Sequence, residues 1–129
     1  MTDFEKILTC GVILRKVLLD DEELRTMTDR IIPVVTHVSQ PLPFITYFRS
    51  GLEQTPVKGA RGPVSVFYQF QIYAAEWPEG SAIAARVCEV LDGYADGHIR
   101  SCVLSDASEN HDPGVPAVMQ LLTFEVRPR

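Results

Sequence analysis

The sequence of 129 residues is long enough for one domain, and its formal net charge at pH 7 is -5. Hydrophobic residues make up 46% and charged residues 22%, which is ordinary for a globular protein and argues against disorder. The acidic balance excludes the clustered basic footprint that is typical of a nucleic-acid-binding domain. No apolar run approaches the roughly 20 residues of a membrane-spanning helix, and no secretory signal is apparent. We therefore expect a protein made in the cytoplasm.

The N-terminal segment is predicted to be helical. Thr2 and Glu5 form a capping-box pattern, which Asp20 and Glu23 repeat before a short second helix at residues 21–27. A helix cap is favoured over a metal site for this acidic run, because carboxylates suit the positive end of the helix dipole. Apolar residues follow the first cap at helical spacing: Phe4, Ile7, Leu8, Gly11, Leu14, Val17 and Leu18.

The middle of the chain predicts strands. Residues 31–35 are apolar and β-branched, but Pro33 cannot donate to a strand ladder, so an edge strand is expected. Residues 44–49 predict another strand. Residues 64–74 alternate between apolar and polar side chains, which is typical of a half-buried antiparallel strand. The intervening residues 50–63 contain three glycines and two prolines, and an exposed loop is predicted there.

A second amphipathic helix is predicted to begin at Pro78 and to end at Gly93. Strands at residues 98–105 and 116–126 follow, separated by a polar loop at residues 106–115. The order predicts one α+β domain, residues 1–129. Its antiparallel sheet would have four to five strands, with the N-terminal helix and the second amphipathic helix packed on one face.

The cysteines and histidines give no sign of chemistry. Cys10, Cys88 and Cys102 lie far apart in apolar stretches without a C-x-x-C pair, so buried reduced thiols are predicted. The histidines are isolated in sequence, and no hydrolase or metalloprotease motif is present: His37, His98 and His111. We expect no enzyme activity, no cofactor and no metal.

Two polar segments are candidates for binding loops. Lys58 precedes Gly59, Arg61 and Gly62, which superficially suggests a phosphate cradle, but the order and the flanking strands favour a hairpin loop or a subunit contact. The second segment contains potential oxygen and imidazole ligands, and a solvated turn is favoured over a metal site: Asp106, Glu109, His111 and Asp112.

Three aromatic residues could belong to the core or to an interface. Phe67 and Tyr73 share the otherwise polar side of their predicted strand, and Trp77 follows that strand. Helix–sheet packing is one alternative. Exposure would make them interface anchors, because aromatic side chains are enriched in interface cores. Together with Lys58 and Arg61 they form our set of candidate subunit-interface residues.

The layout of the whole chain resembles a known family. The resemblance is carried by residues 30–33 (RIIP), 41–47 (PLPFITY), 70–74 (FQIYA), 90–93 (VLDG) and 122–126 (LTFEV). In this arrangement they are similar to the phage tail-completion proteins, also called tail-to-head joining or tail-terminator-like minor tail proteins. The turn at residues 75–80 departs from the shorter polar turn of that family.

The resemblance implies a non-catalytic virion protein of a phage or prophage. Such a subunit would form a ring, expected to be a hexamer, at the head-proximal end of the tail tube. Its partners would be copies of itself, the major tail protein and a head-completion protein, with no sequence-specific nucleic acid and no membrane. The alternative is a small-ligand-binding α+β module of a bacterial host, which would need a concave apolar pocket.

Overall fold

A computed structural model of the chain describes residues 3–33, 41–112, 114 and 117–129, with side chains omitted at residues 3, 60, 61 and 112. Its helices are α1 (Asp3–Leu8), α2 (Cys10–Leu19), α3 (Glu22–Met27) and α4 (Trp77–Leu91). Its strands are β1 (Ile31–Pro33), β2 (Phe44–Val57), β3 (Ala60–Ala74), β4 (Ile99–Asp112) and β5 (Ala117–Pro128).

The strands form one sheet in the order β1-β2-β3-β5-β4. Neighbours among β2 to β5 are antiparallel, whereas β1 pairs with β2 in parallel. The predicted α+β class is confirmed. The sheet is mixed rather than wholly antiparallel, because β2, which follows the connecting residues 34–43, runs in the same direction as its neighbour β1. Those connecting residues include positions 34 and 35 of the predicted edge strand, which lie outside the described residues.

The hydrophobic core lies between the helices and one face of the sheet. Phe70 on β3 is at its centre, with its ring centroid 5.7 Å from that of Tyr47 and 5.9 Å from that of Phe124. Leu14 and Leu18 of α2 are fully buried on the helical side. Each such side chain contributes about 1.5–3 kcal/mol through removal from water.

The N-terminal helical segment places only part of its predicted apolar stripe in the core. Ile7, Leu14 and Leu18 are buried, and so is Gly11, where an added Cβ would lie 2.6 Å from the Tyr68 ring. The prediction was wrong for Phe4 and Leu8, which are 58% and 44% exposed. The helix can turn one side to the sheet, and these residues share the other side with Val12, which is 66% exposed.

The caps and ends of the other helices largely agree with the sequence. The cap of α3 is Asp21 rather than Asp20, because the Asp21 side chain accepts a hydrogen bond of 2.8 Å from the Leu24 N–H. The Thr2 cap lies outside the described residues. Pro78 lies in the first turn of α4, and Gly93 follows that helix with a φ of +85°, where glycine is favoured. Both predictions for α4 are confirmed.

The two predicted loops were wrong for most of their length, because residues 50–57, 60–63 and 106–112 are extended strand. Lys58, Gly59 and Gly114 do lie in turns, and residues 113 and 115 of the second predicted loop lie outside the described residues. Residues 50–57 continue β2 and residues 60–63 begin β3, joined by a two-residue turn at Lys58 and Gly59. Likewise, β4 continues to Asp112 and pairs with the start of β5. Side chains on both sides of these strands face water, so the apolar–polar alternation that marks a half-buried strand is missing from their sequence.

Candidate interaction surfaces

The face of the sheet turned away from the helices is partly apolar. On β3 this face carries Phe67 and Tyr73, both half-buried, six residues apart. Tyr73 stacks on Phe44 of β2, with ring centroids 4.6 Å apart and ring planes 15° from parallel. Between the aromatic residues the face is polar, with a hydrogen bond of 2.8 Å from the Thr46 hydroxyl to the Gln71 side-chain oxygen. This composition, aromatic side chains among hydrogen-bonded polar ones, is typical of a contact surface between subunits.

A two-stranded ribbon projects from the sheet at one end. The backbone pairing of β3 with β5 stops at Val66 and Val126, so residues 52–65 continue as a two-stranded ribbon. Side chains at its base still contact the rest of the fold: the Ser65 hydroxyl donates a hydrogen bond of 2.8 Å to Glu125 of β5, and Val64 packs against the core. Leu52 and Val57 on the ribbon are exposed apolar side chains. These exposed apolar side chains make the ribbon a candidate contact surface.

The ribbon accounts for two of the candidate interface residues. Lys58 is exposed at its turn, beside Gly59, whose φ of +76° favours glycine. The backbone of Arg61 pairs with Pro56 on the opposite strand. Gly62 is required by close approach, since an added Cβ would overlap the carbonyl oxygen of Thr55. The hairpin that the sequence favoured over a phosphate cradle is therefore present, with Lys58 and Gly59 at its tip.

Trp77 lies at the other end of β3, where that strand meets α4. Its side chain is 41% exposed in the first turn of α4, between the exposed residues Glu76 and Glu79. We call Glu76, Trp77 and Glu79 the acidic corner. A large aromatic side chain exposed between carboxylates is a candidate anchor for a partner that carries cations, because indole rings attract positive charge.

A basic cleft lies at the base of the ribbon. Its volume is about 550 Å³, and its cationic lining residues are Lys6, Arg100, Arg127 and Arg129. Apolar side chains complete the lining: Ile7, Pro63, Val64 and Pro128. Sequence reasoning missed this cleft because its four cations are spread from position 6 to position 129, and only the fold brings them together.

Two of the cleft guanidinium groups have partners within the chain. Arg127 Nη2 is 3.3 Å from Glu125 Oε1, and Arg129 Nε donates a hydrogen bond of 2.6 Å to the Asp96 carbonyl oxygen. A carbonyl oxygen carries no net charge, so that bond orients Arg129 without neutralising it. The cleft therefore gathers four cationic side chains, one of them paired with a carboxylate, within a chain whose net charge is negative.

The acidic run at residues 20–23 has a structural role. Arg86 of α4 makes two hydrogen bonds to Asp21, from Nη2 to Oδ1 at 2.7 Å and from Nε to Oδ2 at 2.9 Å. Its Nη1 lies 3.0 Å from Glu23 Oε2 and 2.9 Å from Glu89 Oε2. The hydrogen bonds from Arg86 lower the pKa of Asp21 to about 2. This cluster fastens α3 to α4, a contact that the sequence did not predict.

The thiols and histidines do not assemble into a reactive group in the described part of the chain. Cys10 and Cys102 are free and buried, as predicted, whereas the free thiol of Cys88 is only half-buried. Burial raises the pKa of Cys102 to about 12, so the thiol stays protonated at neutral pH. His98 and His111 are exposed.

Metal binding at the second polar segment finds no support among the described residues. Asp106 pairs with Thr123, whereas Glu109 and His111 pair with Gln120 and Val118, so Asp106 points to the opposite face of the sheet. Within residues 3–33, 41–112, 114 and 117–129, no group of three His, Cys, Asp or Glu side chains could hold a metal ion. In that same set no helix is long and apolar enough to cross a membrane.

The candidate interface residues fall into three places rather than one. Lys58 and Arg61 lie on the ribbon, Phe67 and Tyr73 lie on the open face of the sheet, and Trp77 lies on the acidic corner. The ribbon and the corner are at opposite ends of β3. A contact that uses all five residues therefore has to extend over the whole length of β3.

Comparison with known proteins identifies a shared fold. No family model matches the sequence, and no curated protein matches it. Among solved structures, the chain is similar to a chain of the virion of native gene transfer agent (GTA) particle, with a TM-score of 0.74 and 15% sequence identity. The likeness covers 89% of this chain and 90% of that one. At this identity it establishes that the two chains have the same α+β fold over nearly their whole lengths.

Proposed function

We propose that this chain is a structural subunit of a phage or prophage virion, and specifically a tail-completion protein. It forms a ring, expected to be a hexamer, that ends the tail tube and joins it to the head. The fold shared with a GTA virion chain supports a virion role, and the sequence resemblance to tail-completion proteins supports the position at the end of the tail. Its partners in this role are further copies of itself, the major tail protein and a head-completion protein.

One observation carries the assembly part of the proposal. The sheet is packed by helices on one face, while its other face presents half-buried aromatic residues, and the ribbon extends beyond the sheet with exposed apolar side chains. Self-association through two different patches is heterologous, and it closes into a ring when the rotation between copies allows. A non-catalytic role is part of the same proposal.

The first test is negative-stain microscopy of the purified chain, alone and mixed with the major tail protein of the same genome. We expect rings, or tail tubes whose length is capped in the mixture. Phe67→Ser with Tyr73→Ser should abolish both, because the open face then loses its aromatic contacts. Val12→Ser is the matched control, since it removes an exposed apolar side chain from α2 on the helical side of the molecule.

Two outcomes would contradict the proposal in different ways. Rings of unchanged size in the Phe67/Tyr73 variant would remove the open face from the interface. Monomers together with uncapped tubes in the wild-type mixture would remove the tail-completion role itself. The latter result would favour the ligand-binding module, whose first candidate pocket would be the basic cleft.

A further inference from the structure

Two surfaces of opposite charge lie at opposite ends of the sheet. The basic cleft includes Val64 of β3 in its lining. The acidic corner begins two residues after Ala74, where β3 ends. Ten residues of strand separate Val64 from Ala74, which corresponds to about 33 Å. The corner of one molecule therefore cannot reach its own cleft.

We infer that the acidic corner of one copy docks into the basic cleft of the next copy. This inference rests on the proposed ring and adds a second contact between neighbouring copies to the one that the open face makes. Trp77 enters the cleft as the anchor. Glu76 and Glu79 lie against the cations around the cleft rim.

The lining of the cleft favours a protein segment over a nucleic-acid backbone. Phosphate groups need cations alone, whereas this cleft combines its cations with apolar side chains of Ile7, Pro63, Val64 and Pro128. An indole ring fits such a mixed lining, since it packs on apolar groups and also stacks on guanidinium groups. Trp and Arg are the residue types most enriched among the side chains that dominate binding energy at protein interfaces.

The position of the two patches gives the contact its direction. Because they differ in shape and charge and lie at the two ends of one strand, the contact runs head to tail along the sheet. Such a contact leaves a free corner at one end of a pair and a free cleft at the other, so further copies can add and the assembly closes into a ring when the rotation between copies allows. The ribbon is part of this interface, since Gly62, Pro63 and Val64 line the cleft.

The test uses two full-length variants, each with one patch disabled. The corner variant carries Glu76→Lys, Trp77→Ser and Glu79→Lys, and the cleft variant carries Arg100→Glu and Arg127→Glu. A control variant, Glu22→Lys with Asp106→Lys, changes the net charge as much as the corner variant does, at exposed sites outside both patches. Analytical ultracentrifugation measures the size of each variant alone and of an equimolar mixture of the corner and cleft variants. Circular dichroism checks that each variant is folded.

We expect the self-association of each patch variant alone to be weaker than that of the wild type by roughly tenfold or more. The control variant should self-associate as strongly as the wild type. The mixture should form one-to-one heterodimers, because it contains one intact corner and one intact cleft on different molecules. Raising the salt concentration should weaken these heterodimers, since part of their affinity is electrostatic.

Two results would overturn the inference: a patch variant that keeps the wild-type size, or a mixture that stays monomeric. Binding of duplex DNA to the cleft alongside a monomeric mixture would assign the cleft to nucleic acid instead. The tube-capping assay separates these from failure of the proposed function. A patch variant that still caps tubes leaves the tail-completion role intact without this contact. A wild-type chain that fails to cap tubes removes the role itself.

Discussion

Asp21 performs two structural tasks with one carboxylate. It caps α3 through the Leu24 N–H, and it accepts two hydrogen bonds from Arg86 of α4. The first task alone is worth about 1 kcal/mol at a typical N-cap. The second task places the Asp21 carboxylate in an ion pair with the Arg86 guanidinium. The hydrogen bonds from Arg86 hold the pKa of Asp21 at about 2, below its ordinary value of 3.8.

The lowered pKa of Asp21 predicts a specific dependence of stability on pH. The folded state favours the ionised carboxylate, so its stabilising effect is complete above about pH 4 and is lost as the pH falls towards 2. Asp21→Asn keeps a good cap but removes the charge, and it should lower the free energy of unfolding at pH 7 by roughly 0.5–1 kcal/mol. Urea unfolding of both proteins from pH 7 to pH 2 measures the difference.

The expected difference between wild type and Asp21→Asn shrinks over the acid range. Asp20→Asn serves as the control, because the neighbouring Asp20 side chain is exposed and is not the cap of α3. A difference that stays constant from pH 7 to pH 2 would show that the charge of Asp21 does not contribute.

At the scale of elements, the ribbon is a unit that can be loosened without unfolding the core. Gly62→Ala places a Cβ on the carbonyl oxygen of Thr55, so the two ribbon strands have to separate locally. We expect faster hydrogen exchange at ribbon amides of residues 52–65. The midpoint of global unfolding should move little, because residues 52–59 are exposed or nearly so and lie outside the core.

The matched control for this change is Gly59→Ala at the ribbon turn. There an added Cβ meets nothing within 4 Å, although the φ of +76° adds some backbone strain. The control should speed exchange less than Gly62→Ala does. Equal exchange rates in the two variants would mean that the Thr55 contact does not hold the strands together.

The ribbon is the part of the fold that the sequence did not predict. Residues 64–74 alternate clearly between apolar and polar side chains, because one face of this part of β3 is buried. Patterns of this kind predicted the strand at residues 64–74, the helix α4 and the α+β class. Residues 52–59 carry no alternation, because side chains on both faces of the ribbon are exposed there. The prolines of residues 50–63 suggested a loop, yet Pro56 lies at a register shift after Gln54, a place where a strand tolerates proline.

The candidate surfaces were predictable only in part. The aromatic candidates are visible in the sequence: Phe67 and Tyr73 occupy positions on the otherwise polar side of a predicted strand, and Trp77 follows that strand. The basic cleft does not stand out. The cleft forms only because the start of β4 pairs with the end of β5 and α1 crosses the same end of the sheet. This arrangement brings Lys6 close to Arg100, Arg127 and Arg129.

At the scale of the whole molecule, the proposed ring predicts that stability depends on protein concentration. Assembly covers the open sheet face and the ribbon only in the folded state, so it shifts the folding equilibrium by mass action. At a concentration a hundredfold above the dissociation constant the gain is about 2.7 kcal/mol, which corresponds to on the order of 10 °C in Tm for a domain of this size. Differential scanning calorimetry over a hundredfold concentration range measures the slope. The slope should vanish in Phe67→Ser with Tyr73→Ser and persist in Val12→Ser, and a Tm that is independent of concentration in the wild type would contradict self-assembly of the chain on its own.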